Sequence, residues 1–334
     1  MSEKWLVIDM HNHFYPKKTA EMVKNVAGMN MADKMKARPG FYAKTHDLEK
    51  RVQLMDEAGV DMTVLNQAAW SPQGIEMCRA INDGYAEAGR QWPDRYIPCA
   101  HVPPEGGPDA LDELDRAIND LGLKGLSLVT SSTTATLDSE ALFPVYERVS
   151  QYDIPIVVHP TVRPGIWDGD KYGMADHVAR EYDVARAVVE VMYGVLNRFP
   201  DLKFILPHHG GGIPALKGRI KSHFEPEGWD IPEDIKGFPK TPRELTELGL
   251  DDAFEELFGK LYFDTAGFGG WMPITEAAVN TIRSDRICFG TDYPFEIHES
   301  QDVKIFIEKI KAMDISEQDR RNILGENVKG LFKI

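Results

Sequence analysis

Two histidines separated by one residue lie near the start of the chain. His11 and His13 follow the apolar run 5–10, which predicts a buried strand. Because side chains two apart on a strand lie on the same face, the two imidazoles are expected side by side at its C-terminal end. A His-x-His pair is a weak signal alone, but neighbouring imidazoles are what a divalent metal ion requires of two ligands.

Further metal-ligand residue types follow three later apolar runs, each of which predicts a strand. They are His159, the pair His208 and His209, and Asp292. Imidazoles and a carboxylate together suit one borderline divalent ion, with zinc the first expectation and manganese the second. The sequence therefore predicts a metal site built from the ends of several strands.

The elements that must position these residues alternate between strand and helix. Apolar runs predict strands at residues 5–10, 60–65, 96–100, 123–129, 154–158, 203–206, 260–264 and 286–290, each followed by a helical segment. This order predicts an α/β protein, a single (β/α)8 TIM barrel over residues 1–334 with loop insertions near 25–44 and 225–250. An open doubly wound sheet also alternates, but no Gly-x-Gly-x-x-Gly follows the first strand to support its nucleotide-binding version.

Composition narrows the class of protein. The 334 residues carry a net charge of −15, which disfavours a nucleic acid or an anionic membrane as partner. The chain contains no apolar run of about 18 residues, the length that a membrane-spanning helix needs. Cys78, Cys99 and Cys288 show no metal-ligand spacing and are expected to be reduced thiols. These features, with no signal-peptide pattern at the N-terminus, predict a cytoplasmic protein.

Four motifs together resemble a known family. They are Asp-Met-His-Asn-His-Phe at 9–14, Val-His-Pro at 158–160, His-Gly-Gly-Gly at 209–212 and Gly-Thr-Asp-Tyr-Pro-Phe at 290–295. They resemble the amidohydrolase superfamily, in the amidohydrolase-2 branch that contains 2-amino-3-carboxymuconate-6-semialdehyde decarboxylase and related aromatic-acid decarboxylases. The resemblance implies a barrel of the metal-dependent hydrolase type. It also implies non-oxidative decarboxylation of an aromatic or enoic carboxylic acid.

The resemblance also implies roles for individual residues. One metal ion would be bound by His11, His13, His159 and Asp292. His209, with Asp292, would be catalytic, because the histidine before the three glycines assists a metal-bound water or carries a proton in the family.

Substrate-binding residues are implied in the same way. Arg51 and Arg219 match positions at which the family holds substrate carboxylates, although Arg51 on a helix is also consistent with a solvated charge. The second arginine often reaches into a partner subunit's site, so the resemblance implies a homodimer or a higher homo-oligomer. Trp167 and Phe295 lie near predicted strand ends or loops and are candidates for the wall of an aromatic pocket.

Two departures leave alternatives open. The residues after Val-His-Pro begin with Thr161 rather than the Trp-Asp of the family member named above, which leaves the substrate undetermined. The fourth predicted strand ends in Val129-Thr-Ser-Ser and offers no lysine for a bridging carbamate, which favours one metal over two. A metal-dependent hydrolase of an amide, lactone or C–C bond, or a hydratase, would use the same ligands. A binding protein on the same barrel is the alternative outside enzymes, and metal analysis separates it from the others.

Overall fold

The computed structural model describes residues 4–23, 38–66, 68–161, 171–224 and 253–334. Its strands are β1 (Ile8–Asp9), β2 (Met62–Leu65), β3 (Tyr96–His101), β4 (Gly125–Val129), β5 (Ile156–His159), β6 (Phe204–Leu206), β7 (Tyr262–Asp264) and β8 (Ile287–Cys288). Each strand pairs in parallel with the next, so that one sheet runs in chain order from β1 to β8.

Backbone hydrogen bonds join the last strand to the first. The Met10 N–H donates to the Phe289 carbonyl at 2.8 Å, and the Asp292 N–H donates to the His11 carbonyl at 2.8 Å. These two hydrogen bonds form the seam of the barrel between β8 and β1. Next to the seam, the Thr291 hydroxyl donates to the Asp9 carboxylate at 2.7 Å. The eight parallel strands, with helices between them, therefore form the predicted (β/α)8 barrel.

Helices occupy the outside of the barrel. They are α1 (Lys17–Val23), α2 (Pro39–Ala43), α3 (Leu48–Ala58), α4 (Ile75–Gln91), α5 (Pro108–Asp115), α6 (Phe143–Tyr152), α7 (Ala179–Glu190), α8 (Ile213–Phe224), α9 (Ala253–Phe258), α10 (Met272–Thr281), α11 (Ser300–Lys311), α12 (Glu317–Arg321) and α13 (Asn327–Phe332). Local signals fix their ends. Helix α3, for example, begins where the Asp47 side chain accepts from the Lys50 N–H and ends at left-handed Gly59.

The interior of the barrel is apolar, and one of its ends is closed. Inward-facing side chains such as Ile8, Val64 and Ile205 form a buried cluster with Phe332 of α13. Phe332 lies against Gly125, the first residue of β4, where a Cβ would be 3.0 Å from its ring. Helix α13 therefore covers the end at which the strands begin. The carboxyl ends of the strands form the opposite end, where barrel enzymes carry their chemistry.

The observed elements differ from the expectations in a few places. Some strands are shorter than predicted. Of the run 5–10, for example, only Ile8–Asp9 form β1, because only those residues have ladder partners. Helix α1 was not predicted, because its seven residues carry no apolar repeat long enough to read. The expected insertion at 225–250 lies outside the described residues, and of the one at 25–44 the described part contains α2.

Composition also led to expectations about the cysteines and about membrane-spanning helices. All three cysteines are buried free thiols, and burial raises the pKa of Cys78 to about 12. No helix in the described ranges has the length and apolar character needed to cross a membrane.

Candidate metal centre

Three buried imidazoles meet at the carboxyl end of the barrel. His11 and His13 follow β1, and His159 is the last residue of β5. Their candidate ligand nitrogens all lie within 4.8 Å of one another. The closed barrel, rather than any local sequence, brings β1 and β5 to this distance.

Hydrogen bonds leave one nitrogen free on two of these rings. His11 Nδ1 lies 2.8 Å from an Asp264 carboxylate oxygen, and His159 Nδ1 lies 2.9 Å from the Pro160 carbonyl. Both partners are acceptors, so both Nδ1 atoms carry the proton. The Nε2 atoms of His11 and His159 are buried and have no hydrogen-bond partner among the described residues. Buried nitrogens that have no hydrogen-bond partner in the described part of the chain fit a metal ion.

Asp292 adds a carboxylate to the three rings. Its Oδ1 lies 2.6 Å from His13 Nε2 and 3.8 Å from His11 Nε2. The residue has φ of 56°, a left-handed conformation that is uncommon for an aspartate and typical of constrained functional sites. The barrel seam holds it there, because its backbone N–H donates to the His11 carbonyl.

Burial and charge set the ionisation of the centre. Burial lowers the pKa of His159 well below its ordinary value, and His13 and His11 lower it further. Burial alone would raise the pKa of Asp292, but its hydrogen bond and attraction to His13 outweigh burial and lower it. For His11, the effect of burial is outweighed by Asp264, which raises the pKa and increases the basicity of the ring. An ionised Asp292 and a neutral His159 are the forms that bind a dication.

A fourth ring near the centre belongs to His208, whereas the resemblance implied His209 for the proton carrier. His208 Nε2 lies 3.9 Å from an Asp292 carboxylate oxygen, and its ring centroid is 5.4 Å from that of His11. On its other side, His208 Nδ1 lies 2.7 Å from the Glu181 carboxylate. Burial lowers the pKa of His208, but Glu181 and Asp292 outweigh burial and raise it to about 9.

His209 points away from the centre. Its Nε2 lies 3.2 Å from the Thr275 hydroxyl on α10, and its ring meets Phe268 edge to face. Burial lowers the pKa of His209 to about 4, so the ring is neutral at physiological pH. Both histidines belong to the short His208–Gly211 turn and both are left-handed, so their side chains leave the backbone in different directions. The motif in the sequence does not reveal which of the two neighbours faces inward.

Arg51 is also placed differently from the expectation. The side chain is buried, and its guanidinium donates to the Asn12 side chain and to the His13 carbonyl. It also lies over the Tyr293 ring, 5.2 Å from the centroid. Arg51 therefore supports the segments that carry the histidine pair and Asp292, and its contact with a substrate stays a prediction.

The remaining predicted substrate residues lie in three different settings. Phe295 is half-buried beside the centre, with its ring 4.6 Å from that of His13. Arg219 is exposed on α8. Trp167 lies outside the described residues.

Sequence reasoning missed two carboxylates that hold the rings. Asp264 is the last residue of β7, and a buried acid at a strand end was a usable signal for it. Glu181 lies in the first turn of α7 and gave no signal, because acidic residues are common and favourable there.

Comparisons with known proteins agree with this geometry. A family model described as "Amidohydrolase" matches residues 8–334. Gamma-resorcylate decarboxylase of Polaromonas sp. strain JS666 is 30% identical over 305 residues, 86% of this chain and 87% of that protein. The 2-amino-3-carboxymuconate-6-semialdehyde decarboxylase of Dictyostelium discoideum is 26% identical over 345 residues, 96% of this chain and 90% of that protein.

A solved structure adds a metal to the comparison. It is dihydroxybenzoic acid decarboxylase from Polaromonas sp. JS666, with bound manganese and the inhibitor 2-nitroresorcinol. It matches with a TM-score of 0.76 and 27% identity, over 98% of this chain and 97% of that chain. These relatives confirm the resemblance drawn from the four motifs and favour the decarboxylase prediction over the hydrolase alternative. The chain therefore belongs to the amidohydrolase family.

Proposed function

We propose that this chain, a metal-dependent carboxy-lyase, removes CO2 from a hydroxylated aromatic acid or a related enoic acid at the centre described above. The observation that carries the proposal is the cluster of three buried imidazoles with Asp292 beside His11 and His13. Two Nε2 atoms of this cluster have no hydrogen-bond partner among the described residues. The decarboxylases among its relatives support the same reaction type. Hydroxybenzoates of the gamma-resorcylate kind are the first substrates to test, since a decarboxylase of that acid is 30% identical to the chain.

One divalent ion is bound by His11, His13, His159 and Asp292. Manganese is the first ion to test because a related structure contains it, and zinc is the second because three imidazoles and a carboxylate also suit zinc. When bound, the ion supplies a Lewis acid that stabilises negative charge on the oxygens of the substrate.

His208 is the proton carrier of the reaction. Its Nε2 is buried and has no hydrogen-bond partner among the described residues, and it faces Asp292 at 3.9 Å. Decarboxylation needs a proton on the carbon that loses CO2. The His208 Nε2–H delivers that proton, the C–C bond then breaks, and its electron pair restores the π system as CO2 leaves. A proton from solvent returns His208 to its starting state.

Phe295 forms one wall of the substrate pocket. Its ring lies edge to face with His13 and, at 5.3 Å, with Phe41. An aromatic wall next to the metal ligands suits a planar substrate, because ring–ring contacts favour this arrangement. Trp167 stays a candidate for another part of the wall.

Arg219 anchors a substrate carboxylate in the site of a second subunit. Its exposure on α8, beside exposed Leu216, is consistent with a contact between subunits of a homodimer. Analytical ultracentrifugation tests the dimer directly. Mixing Arg219→Ala chains with inactive Asp292→Asn chains tests the sharing of the residue, because one site of a mixed dimer would then hold both native residues and regain activity.

Measurement of CO2 release tests the activity. Purified protein loaded with manganese or zinc is assayed against a panel of hydroxybenzoates and carboxymuconate semialdehydes, with lactones, amides and unsaturated keto acids as the comparison set. We expect CO2 from at least one acid of the first panel. Hydrolysis or hydration in the comparison set, with no CO2 from any acid, would contradict the proposal.

A further inference from the structure

A carboxylate on a neighbouring helix forms a hydrogen bond with the ring of His208. Glu181, in the first turn of α7, places Oε1 2.7 Å from His208 Nδ1. The His208 side chain is only 2% exposed, and that of Glu181 is 19% exposed. The contact is therefore largely shielded from water, where a charge-assisted hydrogen bond is stronger than at the surface.

Backbone packing fixes the distance between the two residues that make this contact. Helix α7 lies directly against the His208–Gly211 turn at Gly211, whose φ is 66°. A Cβ at Gly211 would lie 2.1 Å from the Glu181 carbonyl oxygen and 2.7 Å from the Ala185 nitrogen. Only glycine fits there. The distance between the Glu181 and His208 backbones is thus set by packing and not by the side chains alone.

We infer that Glu181 is a positioning residue for catalysis, acting through His208; this inference rests on the function proposed for that histidine. Glu181 accepts the hydrogen bond from Nδ1–H and so fixes the plane of the ring. The other nitrogen, Nε2, is then directed at Asp292 and the imidazole cluster. In a histidine the hydrogen bond made by one ring nitrogen decides what the other can do. Without Glu181 the ring is free to turn about its Cβ–Cγ bond, and Nε2 leaves the reacting centre.

Helix α7 offers a matched control. Glu190 lies on the same helix, is 14% exposed and pairs with Arg186 instead of a histidine. Glu181→Ala and the isosteric Glu181→Gln are compared with Glu190→Gln. The assay measures kcat, KM, metal content and the free energy of unfolding with the most active acid of the substrate panel.

Both Glu181 variants are expected to lose about 10- to 100-fold in kcat, as for other carboxylates that orient a functional histidine. KM stays within about threefold, and the metal content stays that of the wild type, because the loss lies in the transition state. Glu190→Gln keeps its kcat. Formate added to Glu181→Ala restores part of the lost kcat by taking the place of the carboxylate, and it does not raise the kcat of the wild type.

Three results overturn the inference. The first is a folded, metal-loaded Glu181→Gln with kcat within twofold of the wild type. The second is a loss confined to KM, which would make Glu181 a substrate-binding group. The third is an equal kcat loss in Glu190→Gln, which would make the effect one of helix structure.

His208→Asn separates this inference from the proposed function. If His208→Asn abolishes CO2 release while the Glu181 variants keep it, Glu181 is not the positioning residue and the proposed function stands. If His208→Asn also keeps full activity, the role of His208 in the proposed function fails.

Discussion

The adjacent residues His208 and His209 lie in different surroundings. His208 reaches Asp292, while His209 is buried against Thr275 and Phe268. Because the backbone is left-handed at both histidines, their side chains leave the chain in different directions. Non-glycine residues rarely adopt this conformation, and in proteins it concentrates where function constrains the chain. The different surroundings of the two side chains are therefore a matter of backbone direction and not of residue type.

Paired asparagine substitutions test this assignment. Asparagine tolerates left-handed backbone, so His208→Asn and His209→Asn keep the turn. We expect His208→Asn to lower kcat by about 10²- to 10⁴-fold, the usual contribution of a positioned proton carrier, with metal still bound. His209→Asn serves as its control and is expected to keep kcat within about fivefold. The opposite ranking of the two variants would restore His209 as the proton carrier.

Acid sensitivity gives a second test at the residue scale. The pKa of His209 falls from 6.5 to about 4 on folding, so the unfolded chain binds more protons between these values and stability falls as pH drops through this window. Between pH 7 and pH 5 this accounts for about 2 kcal/mol. In urea unfolding, the free energy of unfolding of the wild type should fall by about that much more than that of His209→Asn between pH 7 and pH 5. Equal losses in both proteins would show that His209 does not titrate in this way.

At the scale of elements, the strand ends were predictable and the orientation of side chains was not. Apolar runs followed by histidine or aspartate located β1, β5 and β8 and put His11, His159 and Asp292 at one end of a barrel. That inference needs only the rule that parallel strands end at the same side of a sheet. The burial of Arg51 against the His13 carbonyl depends on how the first turn of α3 lies against the segment that follows β1, and no sequence pattern encodes that placement.

Strand β7 supplies the next prediction. Asp264 orients His11 through Nδ1 and also accepts from the backbone N–H groups of His208 and Ala266. Asp264→Asn weakens this anchor, and we expect metal affinity to fall by about 10- to 100-fold. Competition with a chelator measures the affinity. Asp285→Asn, on the outer surface near β8, is the control and should bind metal like the wild type; a shared loss would point to a general effect of charge.

For the whole molecule, the contacts that close the barrel are also the contacts that assemble the site. The hydrogen bonds that join the β8 end to the β1 end involve the same segments that carry His11 and Asp292. Asp9 takes part by accepting from the Thr291 hydroxyl and backbone. The centre therefore exists only in the closed barrel, which brings together residues that are far apart in sequence.

Thr291→Val tests the seam. The substitution keeps the shape of the side chain but removes the hydroxyl that donates to buried Asp9. We expect a loss of about 1–3 kcal/mol in the free energy of unfolding, the usual penalty for a buried group left without its partner. Thr281→Val, whose hydroxyl donates to the Ala277 and Ala278 carbonyls of its own helix, should lose less. Equal stabilities of Thr291→Val and the wild type would mean that the seam does not depend on this bond.

The most direct test of the central claim is a metal titration of the chelated protein with CO2 release as the readout. The account predicts an inactive apoprotein that regains full activity as one divalent ion binds per chain. Asp292→Asn should bind the ion much more weakly and show no recovery at the same concentration. Full activity of protein that contains no metal, or full recovery of Asp292→Asn at one equivalent, would contradict it.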